Sequence, residues 1–182
     1  ARLWWMLRWL GHDAVAVLDG GLAAWVAGAN TLTREAASSR PIAPYPAQRR
    51  ADALIEVGPL QRQLAAQSVL LVDARGAERF AGQNESIDSV AGHVPGAVNL
   101  PFTGNLDSHG QFLPAEILRQ RWQAALAGRP ASELVAMCGS GVSACHNLLA
   151  LAHAGIGGAK LYPGSWSEWI RDPTRPIATG ST

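Results

Sequence analysis

Cys138 is the residue most able to do chemistry. It lies between an apolar run, Leu134-Val-Ala-Met137, and the segment Gly139-Ser-Gly-Val-Ser-Ala144. From Ser143 onward, through Cys145-His-Asn-Leu-Leu-Ala-Leu-Ala-His153, the apolar positions fall into helical spacing. A short apolar run followed by helical periodicity predicts a buried strand, a tight loop and a helix, with Cys138 opening the loop. Gly139 and Gly141 remove side-chain bulk and widen the allowed backbone angles, so successive N–H groups can turn toward one point, the sulfur. Inward amides and the positive end of the next helix both favour a thiolate, which is the nucleophilic form. A buried, inert cysteine is the competing reading. Gly-Ser-Gly directly after the cysteine argues against it.

The elements that must carry this loop can be read from the rest of the chain. Ser68-Val-Leu-Leu-Val72 is continuously apolar and ends at Asp73-Ala-Arg75, the pattern of a central parallel strand buried on both faces. Ala53-Leu-Ile-Glu56 reads as a short strand, followed by a helix through Leu60 and Leu64. Gly76–Phe80 begins another helix, residues 82–92 form a polar loop, and His93-Val-Pro-Gly is a turn into a short strand. Pro114–Leu126 has helical spacing with proline at its first position. Lys160–Tyr162 is the last strand, and Gly164-Ser-Trp-Ser-Glu-Trp169 a glycine turn into a short helix. Alternating strands and helices of this length predict an α/β domain with a mainly parallel central sheet flanked by helices.

The beginning of the chain repeats its end. Ala1–Leu10 reads as a buried helix and Ala14–Leu18 as a strand. A shift of 144 residues brings Gly11 onto Gly155, Leu18-Asp-Gly-Gly21 onto Tyr162-Pro-Gly-Ser165, and Trp25 onto Trp169. Residues 1–29 are therefore expected to be the end of a first repeat, and residues 52–182 a complete second one. Between them, residues 30–51 include Pro41, Pro44 and Pro46 and show no periodicity, as expected of an extended linker.

Composition removes several functions. The 182 residues are 48% apolar and 16% charged with net charge +1, which leaves no electrostatic footprint for nucleic acid. No apolar run reaches the ~18 residues of a membrane span. Cys138 and Cys145, seven apart, fit neither a disulfide framework nor a Cys-x-x-Cys site, so a reducing, cytoplasmic setting is expected. No metal-ligand spacing or nucleotide-binding glycine motif is present, and no cofactor is expected. Of the 15 basic residues only Lys160 is lysine, so arginine at a single position is weak evidence of a need for its fork geometry.

Cys138-Gly-Ser-Gly-Val-Ser-Ala-Cys145 resembles the active-site loop of the rhodanese superfamily. Its Gly-Ser pair is similar to that of the 3-mercaptopyruvate sulfurtransferases, which carry Cys-Gly-Ser-Gly-Val-Thr-Ala; Ser143 stands in place of Thr. The thiosulfate-using branch has Arg-Lys where this chain has Gly139 and Ser140. Cysteine phosphatases place an arginine where this chain has Ala144, and do not fit. The resemblance extends over nearly the whole chain, including Leu18-Asp-Gly-Gly-Leu-Ala-Ala-Trp25, similar to the end of the first domain in these tandem proteins. By that likeness most of a first domain would precede Ala1.

The resemblance implies sulfur transfer through a persulfide on Cys138. The donor would be 3-mercaptopyruvate and the acceptor cyanide or a thiol, a thioredoxin-like protein being one candidate. Thiosulfate:cyanide transfer and a non-catalytic binding module are the alternatives. Ser140 is either a small polar loop residue or, as in the mercaptopyruvate branch, a contact to the reacting thiol that assists proton movement. Gly139, Gly141, Val142, Ser143 and Ala144 would supply cradle amides, Ser143 also suiting a helix N-cap. Arg79 aligns with a substrate-contacting arginine of the family; by itself it would read as a solvated helix residue. Arg75 is expected to brace the site by pairing with Asp73. No second arginine occurs between Asn84 and Ser89, where mercaptopyruvate enzymes often have one. His93, in the His-x-Pro-Gly-Ala-x-Asn signature, is read as a hydrogen-bonded turn residue, and His146 and His153 as packing or surface residues. Trp166 and Trp169 could wall the pocket, although the repeat makes Trp169 core.

Overall fold

Four short strands form the sheet: β1 (Leu70–Asp73), β2 (Val98–Asn99), β3 (Leu134–Met137) and β4 (Lys160–Leu161), in the order β2-β1-β3-β4 and all parallel. This is a computed structural model, and it describes residues 1–36, 38 and 43–181. The central pair is in register from Leu70 opposite Leu134 to Asp73 opposite Met137. Its continuous apolar sequence follows from burial on both faces, since side chains alternate sides along a strand. Leu71, Val135 and Met137 join one core cluster, and Val72, Leu134 and Ala136 the other.

The helices are α1 (Arg2–Trp9), α2 (Gly21–Ala27), α3 (Val57–Ala65), α4 (Ala77–Ala81), α5 (Ala115–Leu126), α6 (Val142–His153) and α7 (Ser165–Trp169). Leu60 of α3, Phe80 of α4 and Trp166 and Trp169 of α7 cover one face of the sheet. Leu118 and Trp122 of α5 and Leu148 and Leu151 of α6 cover the other. Leu60, Leu118 and Leu134 are wholly buried, each worth about 1.5–3 kcal/mol relative to exposure. Pro114, expected to be the first helical residue, is instead the N-cap of α5, which begins at Ala115. Among the described residues no helix is long and apolar enough to cross a membrane.

α1, expected to be a buried helix, has no buried residue and leaves Leu3 and Met6 exposed; only Ala1 and Trp5, partly buried, pack against the α5/α6 core cluster. The N–H groups of Gln48 and Arg50 donate to the carbonyls of Leu10 and Trp9, and Arg50 pairs with Asp13 at 2.6 Å. α1 and α6 end alike. Gly11 (φ 86°) donates to Arg8 and His12 to Leu7; 144 residues on, Gly155 (φ 76°) donates to Ala152 and Ile156 to Leu151. Gly21 (φ 60°) and Ser165 (φ 53°), also 144 apart, open α2 and α7 in the left-handed conformation.

Two expected strands do not form. Ala14–Leu18 has no regular structure, because a strand exists only when paired and none of the described residues lies beside it as a partner. Residues 51–53 are a 3₁₀ turn, and only Leu54 bridges to Leu161, because Glu56 is already the N-cap of α3 and leaves no residues to extend the pairing. Pro44 and Pro46 lie in a stretch without regular structure, and Pro41 lies outside the described residues.

Candidate active site

Cys138 follows β3 directly and is 3% exposed. The loop behind it is held from one side by α7. Its N–H donates to Ser165 Oγ (3.1 Å), its carbonyl accepts from Trp166 N–H (3.0 Å), and the Gly139 carbonyl accepts from Ser167 N–H (2.9 Å). In a planar trans peptide the N–H points opposite to the C=O. Fixing the carbonyls of Cys138 and Gly139 toward α7 therefore turns the amides of Gly139 and Ser140 away from it. At the far end the Gly141 carbonyl accepts from Cys145 Sγ at 3.1 Å, which orients the Val142 amide in the same manner. The amides of Gly139, Ser140, Gly141, Val142, Ser143 and Ala144 donate to no protein acceptor among the described residues. Such a run of free donors beside a sulfur is suited to stabilising an anion.

Gly141, not Ser143, is the N-cap of α6, with φ 79°. The chain must pass through the left-handed region to enter the helix there, which a serine does only under strain. Ser143 is thus the second helical residue. Ser140 and Val142 are exposed, the latter by 45%. Ser140 and Gly141 line a cleft of ≈ 260 Å³ shared with Trp5, Trp9 and Cys145. Ala144, in the first turn of α6, is wholly buried.

The charged groups converge on Gly139. A Cβ built on that glycine would lie 3.6 and 3.7 Å from the two terminal nitrogens of Arg79 and 3.7 Å from Asp88 Oδ2. Arg79, on α4, is therefore placed beside the residue that follows the cysteine. Its Nε donates to Glu85 at 3.0 Å and its Nη2 to Asp88 at 2.9 Å, while Nη1 has no acceptor among the described residues. Arg79 keeps 23% side-chain exposure, so it is not sealed from solution as Arg75 is. Burial works to raise the Glu85 carboxyl, but the Arg79 guanidinium and the amides of Ile87 and Asp88 outweigh it and hold the group below the usual carboxylate range.

Arg75 braces this arrangement from below. It pairs with Asp73 at 2.7 Å, reaches Glu85 at 3.5 Å, donates to the Gly92 carbonyl and lies 4.8 Å from the centre of the Trp166 ring. Both partners of the Arg75–Asp73 pair are essentially inaccessible, so truncating either would strand a buried charge. His93 Nδ1 lies 2.8 Å from the Phe80 carbonyl, which fixes its proton on that nitrogen, and its ring stacks on Phe80. Trp166 and Trp169 are both buried, their indole N–H groups donating to Val90 and Pro176 carbonyls; they are core rather than pocket wall. His146 is pushed down to about 4 by burial, and stacks on Phe112. His153 is exposed, with its ring 6.1 Å from that of Phe112.

Ser165, Ser167, Glu85 and Asp88 are site residues that the sequence reading did not single out. Ser165, with a left-handed backbone, accepts from Cys138 N–H and donates to the Tyr162 carbonyl at 2.9 Å. The shift of 144 residues pointed at this position, since it pairs Ser165 with Gly21.

Cys145 is 1% exposed, and burial pushes its thiol up to about 12, with the neighbouring Cys138 adding to the effect. Near pH 9, about where a free thiol is half ionised, Cys145 should therefore stay neutral and escape iodoacetamide. Peptide mapping after brief alkylation checks this. Labelling of Cys145 at the rate of a free thiol would contradict it.

Comparison with known proteins fits this geometry. The rhodanese-like domain family matches residues 56–172. A protein of Pseudomonas aeruginosa named "Probable 3-mercaptopyruvate sulfurtransferase" is 56% identical over 181 residues, covering 99% of this chain and 63% of its own. The 3-mercaptopyruvate sulfurtransferase of Rattus norvegicus is 38% identical, covering 98% of this chain and 61% of its own. The thiosulfate sulfurtransferase of the same species is 35% identical, covering 93% and 58%. The chain thus spans less than two thirds of the length of these relatives. Among solved structures, an anaerobic ergothioneine biosynthesis enzyme from Chlorobium limicola superposes with a TM-score of 0.85 over 98% of this chain and 44% of its own, at 20% identity, a likeness of fold alone. From the match over residues 56–172 and from these identities, the chain belongs to the rhodanese-like domain family.

Proposed function

We propose that Cys138 is the nucleophile of a sulfurtransferase that takes sulfur from 3-mercaptopyruvate. The observation that carries this reading is the run of unpaired amides after a buried cysteine, with the free Nη1 of Arg79 beside it. Thiolate Cys138 attacks the donor sulfur, a new S–S bond forms, and the C–S bond breaks. The bonding pair leaves on carbon as the enolate of pyruvate, which then takes a proton. An acceptor thiolate attacks the outer sulfur of the Cys138 persulfide, the S–S bond breaks, and the Cys138 thiolate returns. The amides of Gly139, Ser140, Gly141, Val142, Ser143 and Ala144 stabilise the anionic persulfide, Arg79 holds the donor carboxylate, and Ser140 handles the thiol proton.

The acceptor in this reading is a small thiol, cyanide or a thioredoxin-like protein, and the setting is the cytoplasm. Residues 1–29 are proposed to be the end of a first rhodanese-like unit joined by the linker 30–51 to the catalytic unit 52–182. The matched helix ends of α1 and α6 and the matched left-handed residues Gly21 and Ser165 support that division.

Thiosulfate is the second candidate donor, because residues 84–89 offer no second arginine to hold a keto-acid carboxylate. Turnover of the complete polypeptide with both donors side by side decides. Wild type should prefer the keto acid, and Gly139→Arg with Ser140→Lys should shift the ratio of kcat/KM toward thiosulfate by about tenfold, or 1.4 kcal/mol. Two added cations attract a dianion more than a monoanion, and Gly139 can accept a side chain because its Cβ would meet its neighbours only at 3.6 Å or beyond. Outright preference of the wild type for thiosulfate would overturn the assignment of the donor.

A further inference from the structure

We propose that Ser167 is a positioning residue that ties the anion grip of Arg79 to the sulfur cradle. The proposal rests on the reading of Cys138 as nucleophile and Arg79 as the donor-binding cation. Ser167 touches both halves of the site. Its backbone N–H donates to the Gly139 carbonyl at 2.9 Å, and its Oγ lies 2.8 Å from that same carbonyl and 2.8 Å from Asp88 Oδ1. The hydroxyl has one proton and two acceptors. The Gly139 carbonyl already holds an N–H, and a carboxylate is the stronger acceptor, so the proton goes to Asp88.

Asp88 in turn uses its other oxygen to hold Arg79 Nη2 at 2.9 Å, while Glu85 holds Nε. With these two edges fixed, Nη1 is the part of the guanidinium left for a ligand, and it lies against Gly139. The side chain of Ser167 thus sets the grip through Asp88, and its main chain sets the cradle through Gly139. Removing the hydroxyl alone separates the two. The N–H of residue 167 still holds the Gly139 peptide, but Asp88 loses its anchor, and Arg79 keeps only the hold of Glu85 on Nε and Nη2. Ser167→Ala should therefore raise KM for a carboxylate-bearing donor while kcat changes little, and Ser167→Thr, which keeps the hydroxyl, should behave as wild type.

A test independent of sulfur transfer uses two alkylating reagents of nearly equal size, iodoacetate and iodoacetamide, on Cys138 of the complete polypeptide. A cation held against Gly139, the residue that follows Cys138, favours the anionic reagent. The ratio of the two rates should fall by about threefold or more in Ser167→Ala, as expected for coupled neighbours, and should be retained in Ser167→Thr. An unchanged ratio in Ser167→Ala would overturn the proposal. So would an equal slowing by both reagents, which would place the effect on the cradle, or a fall of the same size in Ser167→Thr. Because alkylation needs no donor, a fallen ratio in an enzyme that transfers no sulfur would leave this inference standing and remove the proposed function.

Discussion

Replacing Cys138 by serine abolishes persulfide formation and lowers turnover by about 10⁴-fold or more, the scale seen when an attacking group is removed from a covalent mechanism. A neutral hydroxyl cannot replace the thiolate that must attack a donor sulfur, and the free amides around it then have no anion to stabilise. Cys145→Ser behaves differently. Its thiol is neutral, buried and engaged with the Gly141 carbonyl, and a serine hydroxyl can donate to the same oxygen, so most activity remains. Mass measurement after donor treatment checks both statements, since wild type and Cys145→Ser should gain about 32 Da, one sulfur atom, and Cys138→Ser should gain nothing. Peptide mapping then assigns the added sulfur. Finding it on Cys145 alone would remove the proposed mechanism.

The features legible in the sequence are those that local pattern dictates. β1 and β3 are buried on both faces, which forces continuous apolar runs, and the helical spacing after Ser143 gives α6 to within one residue. The Arg75–Asp73 brace is a contact between near neighbours and was readable for that reason. What stayed hidden depends on distant parts of the chain. The hydrogen bonds that join the cysteine loop to Ser165 Oγ and to the Ser167 N–H span 27 and 28 residues, and serine leaves no periodic trace. Glu85 and Asp88 read as part of a polar loop, yet both carboxylates are nearly buried against Arg79, which took that arginine from a solvated helix position to the site. Ala14–Leu18 shows the opposite failure. Its composition suits a strand, but pairing is a property of the neighbour, and the described residues supply none.

The two loop glycines look equivalent in sequence and should respond very differently to alanine. Gly139 does not have a left-handed backbone, and a Cβ there would meet its neighbours at ordinary contact distance. Gly139→Ala is expected to leave kcat within about threefold of wild type, as for a substitution away from strain and clash. Gly141 has φ 79°, and a Cβ there would stand 2.8 Å from the Pro163 carbonyl oxygen and 3.3 Å from Pro163 Cα. These are backbone atoms of the turn that follows β4, which cannot swing aside as a side chain would. Alanine at 141 costs about 1–2 kcal/mol for the left-handed conformation alone, before the contact is counted. Since Gly141 is also the N-cap of α6 and the acceptor of the Cys145 thiol, the strain is relieved by moving the loop, and the Ser140 and Val142 amides lose their aim. Losing one well-placed donor raises a barrier by about 2.7–4 kcal/mol, so kcat of Gly141→Ala should fall about 10²–10³-fold. Its Tm should fall by roughly 2–4 °C for each kcal/mol of strain that folding retains. Steady-state kinetics and thermal melts on both variants make the comparison. If Gly141→Ala turned over at the rate of Gly139→Ala, orientation of the loop amides would not be what sets the rate.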